Sequence, residues 1–262
     1  MTGIRMLVTP ERRRYIRTLG EWTRRDVAEQ FGTRPGRLVW AVLQPVLAVA
    51  AYALIFGVIF SQSGGTLPYL SYLVAGVVVY RAVTGAFGSV SCISDRHDLL
   101  TKVAVPIEMI PISRTLANSV DTTIVAVGLI VVAVVQGVSI SVTVVALPLI
   151  LIVVTLFAAG VGVLLSTVQV FLPGLQHTTS FLGLALFFAS PISYQPDQLP
   201  PELRWLNVVN PISVFIEAVR DVALRSEWPE PLFYLQASLT VLLLLGSIGY
   251  LRALRGRVVD LG

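Results

Sequence analysis

A chain of 262 residues that is 55% apolar and only 13% charged, with a mean hydropathy of +0.80, carries about half the charge of a soluble domain. The same figures exclude disorder, and one cysteine with two histidines excludes a disulfide framework or a metal site. The net charge of +4 belongs to the chain ends, nine arginines lying before residue 38 and three beyond residue 251, which suits an anionic membrane surface and argues against nucleic acid.

Residues 1–37 read as a cytoplasmic, partly interfacial segment. Within 11–33, Tyr15, Leu19, Trp22 and Val27 recur at near-helical spacing among Arg24, Arg25, Asp26 and other charges. That pattern predicts a helix lying on the inner membrane surface; the alternative is a solvated basic tail. A spanning helix needs about 20 mostly apolar residues. Six stretches qualify: 38–60, 68–90, 112–136, 142–168, 177–194 and 232–251. Gln44 and Pro45 interrupt the first, and the polar turn Gly137-Val138-Ser139 separates the third from the fourth. Residues 252–262 form a tail. The expected architecture is therefore one all-α transmembrane domain with a six-span core over 38–251.

An even span count puts both ends on one side. Fifteen Lys and Arg residues then fall on the side of the termini and three, Arg204, Arg220 and Arg225, on the other. The positive-inside rule places both termini in the cytoplasm of a cell-membrane protein. The first 37 residues hold no apolar core of a cleavable signal.

Chemistry of the usual kinds is missing. The single lysine, Lys102, follows Thr101, so the chain supplies no phosphate-binding loop and hydrolyses no ATP itself. His97 and His177 stand 80 residues apart and make no metal cluster, and Cys92 reads as a small buried thiol. Two ionisable residues lie well inside spans, Arg81 and Asp121. They stand at similar depths on antiparallel spans, close enough to meet; the readings left open are a structural ion pair or snorkelling groups and a role in transport. Between spans five and six, 195–231 contains apolar pieces too short to cross. Pro211 disfavours helix at Asn210, which predicts two short helices that enter the outer leaflet and return, with an ordinary extracellular loop as the alternative. Glu217 and Arg220 are spaced to pair at that interface.

Four stretches carry a family resemblance. WTRRDVAEQFGTRPGRLVWAVLQPVLAVAAYALIF at 22–56 holds Arg25, Asp26, Trp40 and Pro45; DLLTKVAVPIEMIP at 98–111 holds Leu99, Lys102, Val103, Pro106, Glu108 and Pro111. SPISY stands at 190–194, and LPPELRWLNVVNPISVFIEAVRDVAL at 199–224 holds Leu199, Pro200, Asn210, Pro211, Glu217 and Arg220. In these the chain resembles the permease subunit of type-2 ABC exporters, most closely the Wzm-type permeases of O-antigen, teichoic acid or galactan export. It departs from them at Gln30-Phe31, where the family usually has Arg-Tyr, and at Leu172-Pro173, where it usually has Arg-Asp.

The resemblance implies a second copy of the chain, two copies of a separate P-loop nucleotide-binding subunit that holds ATP and Mg, and a lipid-linked glycan as substrate. It implies no cofactor in this chain. It marks Arg96, Asp98, Leu99, Leu100, Lys102, Val103, Pro106 and Glu108 as the ATPase-coupling loop, with a short helix at 96–103. An external gate would include Leu199, Pro200, Trp205, Asn210, Pro211, Glu217 and Arg220. Sugar faces stack on aromatic rings, so Trp40, Tyr52, Phe56, Tyr80, Phe87, Phe181, Phe187, Phe188 and Tyr194 are candidates to line a glycan path; an interfacial belt is the alternative for each. Export of a drug or lipid is the second function within this architecture. An enzyme of lipid-linked sugar metabolism and a secondary transporter are more remote, the first because the cytoplasmic cluster Asp95, Asp98 and Glu108 sits in the loop that resembles the ATPase-docking segment.

Overall fold

The computed structural model describes residues 10–32, 35–52, 54–55, 68–96, 106–203 and 205–261. All regular structure among them is helical. In chain order the helices are α1 (Pro10–Phe31), α2 (Pro35–Tyr52), α3 (Tyr69–Phe87), α4 (Met109–Val135), α5 (Leu147–Phe171), α6 (Leu175–Ala189), α7 (Trp205–Val209), α8 (Pro211–Arg220), α9 (Pro231–Ala253) and α10 (Arg255–Leu261).

Four helices among the described residues are long and apolar enough to cross a membrane: α3, α4, α5 with its preceding 3-10 turn from Val142, and α9. The first expected span is described only as far as α2 and residues 54–55. The fifth differs from expectation. Helix α6 has 15 residues, about 22 Å against a hydrocarbon core of about 30 Å. It stops because Ser190 precedes Pro191, and a residue before proline is driven from helical to extended backbone, here φ −115° and ψ 146°. The SPISY stretch is thus a reversal, not the last turn of a span.

Helix α3 is the axis of the bundle. Residues 71–79 are buried on every side, packed by α4, α5 and α8. A helix apolar all round has no face to offer water, and this one needs none. Gly76 lets the reversal approach, since a Cβ there would stand 2.9 Å from the Ile192 Cα. Helix α9 lies along α5, brought close at Gly160, whose Cβ would meet the Leu244 backbone at 3.2 Å. Helix α1 lies across the start of α4. A large apolar core joins α3, α4, α5 and α8, while a smaller one at the other end joins Cys92, Ile107, Val163 and Val258. The bundle therefore has a terminal end, holding α1, the Ser94–Arg96 turn and α10, and a far end, holding residues 136–146 and 190–230.

Candidate functional site

Polar side chains gather at three levels of this apolar bundle. At the terminal end, Asp26 is completely buried although the helix bearing it is strongly charged. Its carboxylate accepts a hydrogen bond from Ser113 Oγ at 2.7 Å and pairs with the Arg96 guanidinium. Arg96 also reaches Glu29 at 3.4 Å and lies over the Trp22 ring, 5.7 Å from its centre. Burial works against its charge, but Asp26 and Glu29 outweigh that and hold its pKa above the ordinary value. Arg24 and Arg25 point outward, Arg25 pairing with Glu29 at 3.1 Å. The Arg25-Asp26 dipeptide is thus divided, one charge outside and one in the core.

Glu108 directly precedes α4, is 2% exposed, and is paired with Arg252 of α9. Arg96 and Glu108, which the sequence suggests as surface groups of a coupling loop, therefore turn inward. The cause is the packing of α1 and of the end of α9, which supply Asp26 and Arg252. Pro106 is half-buried. Asp98, Leu99, Leu100, Lys102 and Val103, and with them the helix expected at 96–103, lie outside the described residues. Burial pushes the Cys92 thiol up to about 12, leaving it protonated and inert.

At the middle level Arg81 and Asp121 do meet. Arg81 donates from Nε to Asp121 Oδ2 at 2.6 Å and from Nη2 to Oδ1 at 3.0 Å. One turn away Asn118 Nδ2 donates to the Gly85 carbonyl at 2.5 Å, which ties the same two helices again. The pair faces a cavity of about 220 Å³ lined also by Gln30, Thr84 and Asn118.

The aromatic candidates separate into distinct settings. Phe187 is buried in a cluster with Tyr52 at 4.8 Å, Tyr80 at 5.4 Å and Phe188 at 5.5 Å between ring centres. A second cavity, about 300 Å³ between α3 and α6, takes Tyr80 and Phe87 together with Thr179 and Ser180. Trp40, Phe181 and Phe188 are exposed on the outside of the bundle, and Tyr194 is half-buried in the reversal. Phe56 lies outside the described residues.

At the far end the chain does break at Asn210-Pro211. Asn210 caps α8 by accepting from the Ile212 amide at 3.0 Å and ties back to α6 by donating to the Ala189 carbonyl at 3.1 Å and Ser190 Oγ at 2.9 Å. Arg220, however, is not an interfacial residue. It is fully buried because α8 packs on α3, where it donates to Glu217 at 2.7 Å and to the carbonyls of Tyr72, Pro191 and Ile192 at 3.2, 2.8 and 3.2 Å. Arg225 completes the group, bonding Glu217 at 2.8 Å and Asp221 at 2.7 Å. Burial alone would raise the Glu217 carboxyl, but Arg220 and Arg225 together hold it below its usual value. Leu199 is half-buried, while Pro200 and Trp205 stand exposed at the rim. Sequence reasoning missed Tyr72, Ser113 and Asp221. A tyrosine and a serine on otherwise apolar helices were the only local signals.

All of these three groups except Arg225 and Arg252 fall within a single family match: residues 19–224 fit the ABC-2 type transporter profile. The chain belongs to the ABC-2 type transporter family. The match runs from the middle of α1 to the turn after α8, so it contains Asp26, the Arg81–Asp121 pair and Arg220. Among curated proteins, the ABC-2 chain is similar to an O-antigen export system permease protein RfbA of Myxococcus xanthus, 27% identical over 209 residues, 78% of this chain and 80% of that one. Two proteins of the same name from Klebsiella pneumoniae are 24% identical over 226 residues and 22% over 203. The first of these covers 84% of this chain and 86% of its own length, the second 76% and 77%. With its apolar helices, the family makes this an all-α, multi-pass membrane protein, a transporter's membrane subunit.

Proposed function

We propose that this ABC-2 subunit exports a lipid-linked polysaccharide from the cytoplasmic side of the cell membrane, energised by a separate ATPase. The observation that carries the reading is its alignment along most of its length with three O-antigen export permeases. Two permease copies and two ATPase copies form the working complex, because one small bundle encloses too little space for a polymer. The termini are cytoplasmic, residues 96–103 dock on the ATPase, and the far end is the exit.

The geometry supplies a route for force. Arg96 stands at the start of the docking segment and is clamped by Asp26, which also holds Ser113 on α4. A push on the segment moves α1 and α4 together. Asp121 lies two turns further along α4, bonded to α3, and α3 carries the Tyr72 carbonyl that Arg220 grips at the exit. The three polar groups thus form one mechanical line from docking segment to exit, through helices that are otherwise apolar.

The test is substrate-stimulated ATP hydrolysis by the permease–ATPase complex in proteoliposomes. Lipid-linked polysaccharide should raise the rate several-fold over empty vesicles. Stimulation by amphiphilic drugs or plain phospholipid, with no response to the glycolipid, would favour drug or lipid export instead.

A further inference from the structure

Helix α2 touches the bundle lightly beside α3, α4, α5 and α9. Beside it runs a seam. On α4, Asn118, Asp121, Val125, Gly128 and Val132 follow at spacings of three and four residues, so they share one face. On α3, Leu70, Val74, Arg81 and Gly85 keep the same phase. Two cavities open along this shared face. One, about 290 Å³, is walled by Pro45, Val46 and Val49 of α2 and by Val74, Val125 and Gly128. The other is the polar cavity at Arg81 and Asp121, one turn further along α4. From Asn118 to Val132 the seam is roughly 21 Å long at ~1.5 Å per residue.

The occupant follows from these two poles. The apolar slot offers water no hydrogen-bond partners, so it does not stay wet, whereas hydrocarbon from the surrounding bilayer matches its walls and length. At the polar pole, Asp121 engages Arg81 through Nε and Nη2, leaving Nη1 without a hydrogen-bond partner among the described residues. The pair is neutral overall. A purely anionic head drawn to Arg81 would sit against the Asp121 carboxylate. A zwitterionic head satisfies both, its phosphate on the guanidinium and its ammonium on the carboxylate.

We propose that the seam between α2 and the α3–α4 pair binds one zwitterionic phospholipid, headgroup at Arg81 and Asp121, acyl chain against Val49, Val125 and Gly128. The lipid is a wedge that seats α2 without locking it to the bundle, and it is separate from whatever the transporter exports. The site does not depend on the glycan reading.

The test is native mass spectrometry of the full-length, delipidated protein offered phosphatidylethanolamine or phosphatidylglycerol. Wild type should retain one phosphatidylethanolamine with at least tenfold higher affinity than phosphatidylglycerol. Gly128→Leu should lower that affinity at least tenfold without loss of thermal stability, because a Cβ at Gly128 meets no atom within 4 Å and the larger side chain fills the slot. Arg81→Met with Asp121→Leu should abolish the preference between the two lipids. Equal or tighter binding of phosphatidylglycerol to wild type would overturn the proposal, as would undiminished phosphatidylethanolamine binding by Gly128→Leu. Those two measurements decide it even where the double variant fails to fold.

Discussion

The guanidinium of Arg220 lies 3.4 Å from the centre of the Tyr72 ring, fully buried, and one of its nitrogens donates to the Tyr72 carbonyl. A charge so placed is held by an ion pair, a ring face and three carbonyls from two separate segments. Arg220→Met removes all of these and leaves Glu217 with Arg225 as its remaining cationic partner. Losing one partner of a buried pair costs roughly 3–5 kcal/mol. At ~2–4 °C per kcal/mol for a chain of this size, the melting temperature should fall by roughly 10 °C. Arg220→Lys keeps the charge but cannot span the carbonyls, so it should recover less than half of that loss. Thermal unfolding in detergent measures both variants.

Acid should release the same group. Glu217 in the unfolded chain titrates near ~4.3, and in the fold its pKa is lower. The pairing therefore contributes its full stability above that range and loses it as pH falls through the folded value. Melting temperature should drop below about pH 4, where Glu217 protonates. Glu217→Gln should lower the plateau and flatten part of the acid limb.

Arg81 and Asp121 form a pair whose side chains keep 22% and 14% of their exposure. Either single change to Ala should cost roughly 3–5 kcal/mol, because it leaves the other charge unpaired within a span. The double change should be milder than the sum of the two. Additive losses in the double-mutant cycle would show that the two side chains do not couple.

Asp26→Asn leaves a side chain able to meet Ser113 but strips Arg96 of its buried counter-charge, leaving it only the more distant Glu29. The variant should fold and insert, yet ATP hydrolysis by the reconstituted complex should lose most of its substrate stimulation. Coupled hydrolysis at the wild-type level would remove α1 from the transmission line.

The sequence makes the fold class legible because spanning helices need long apolar runs, and such runs are visible in any register. The Arg81–Asp121 contact is legible for a related reason: a lone charge in a span is expensive, so two at one depth find each other. Arg220, Glu108 and Asp26 are different. Each sits in a short polar stretch of sequence, where nothing local distinguishes a solvated charge from a buried one. Only the packing of α8 on α3, of α1 across α4, and the reach of Arg252 from the end of α9 decides it. Helix α6 ends before its apolar run does: SPISY is apolar enough to continue a span, and the backbone cost of Ser190-Pro191 outweighs that.

In the function proposed above, ATP hydrolysis drives a lipid-linked polysaccharide outward through docking at 96–103. The most direct measurement is the appearance of labelled polysaccharide on the exit side of proteoliposomes holding the permease and its ATPase. Transfer should require ATP and be lost when Leu99 and Leu100 are both changed to Asp, with the permease still folded and inserted. Transfer without ATP, or undiminished transfer by the Leu99→Asp, Leu100→Asp variant, would contradict it.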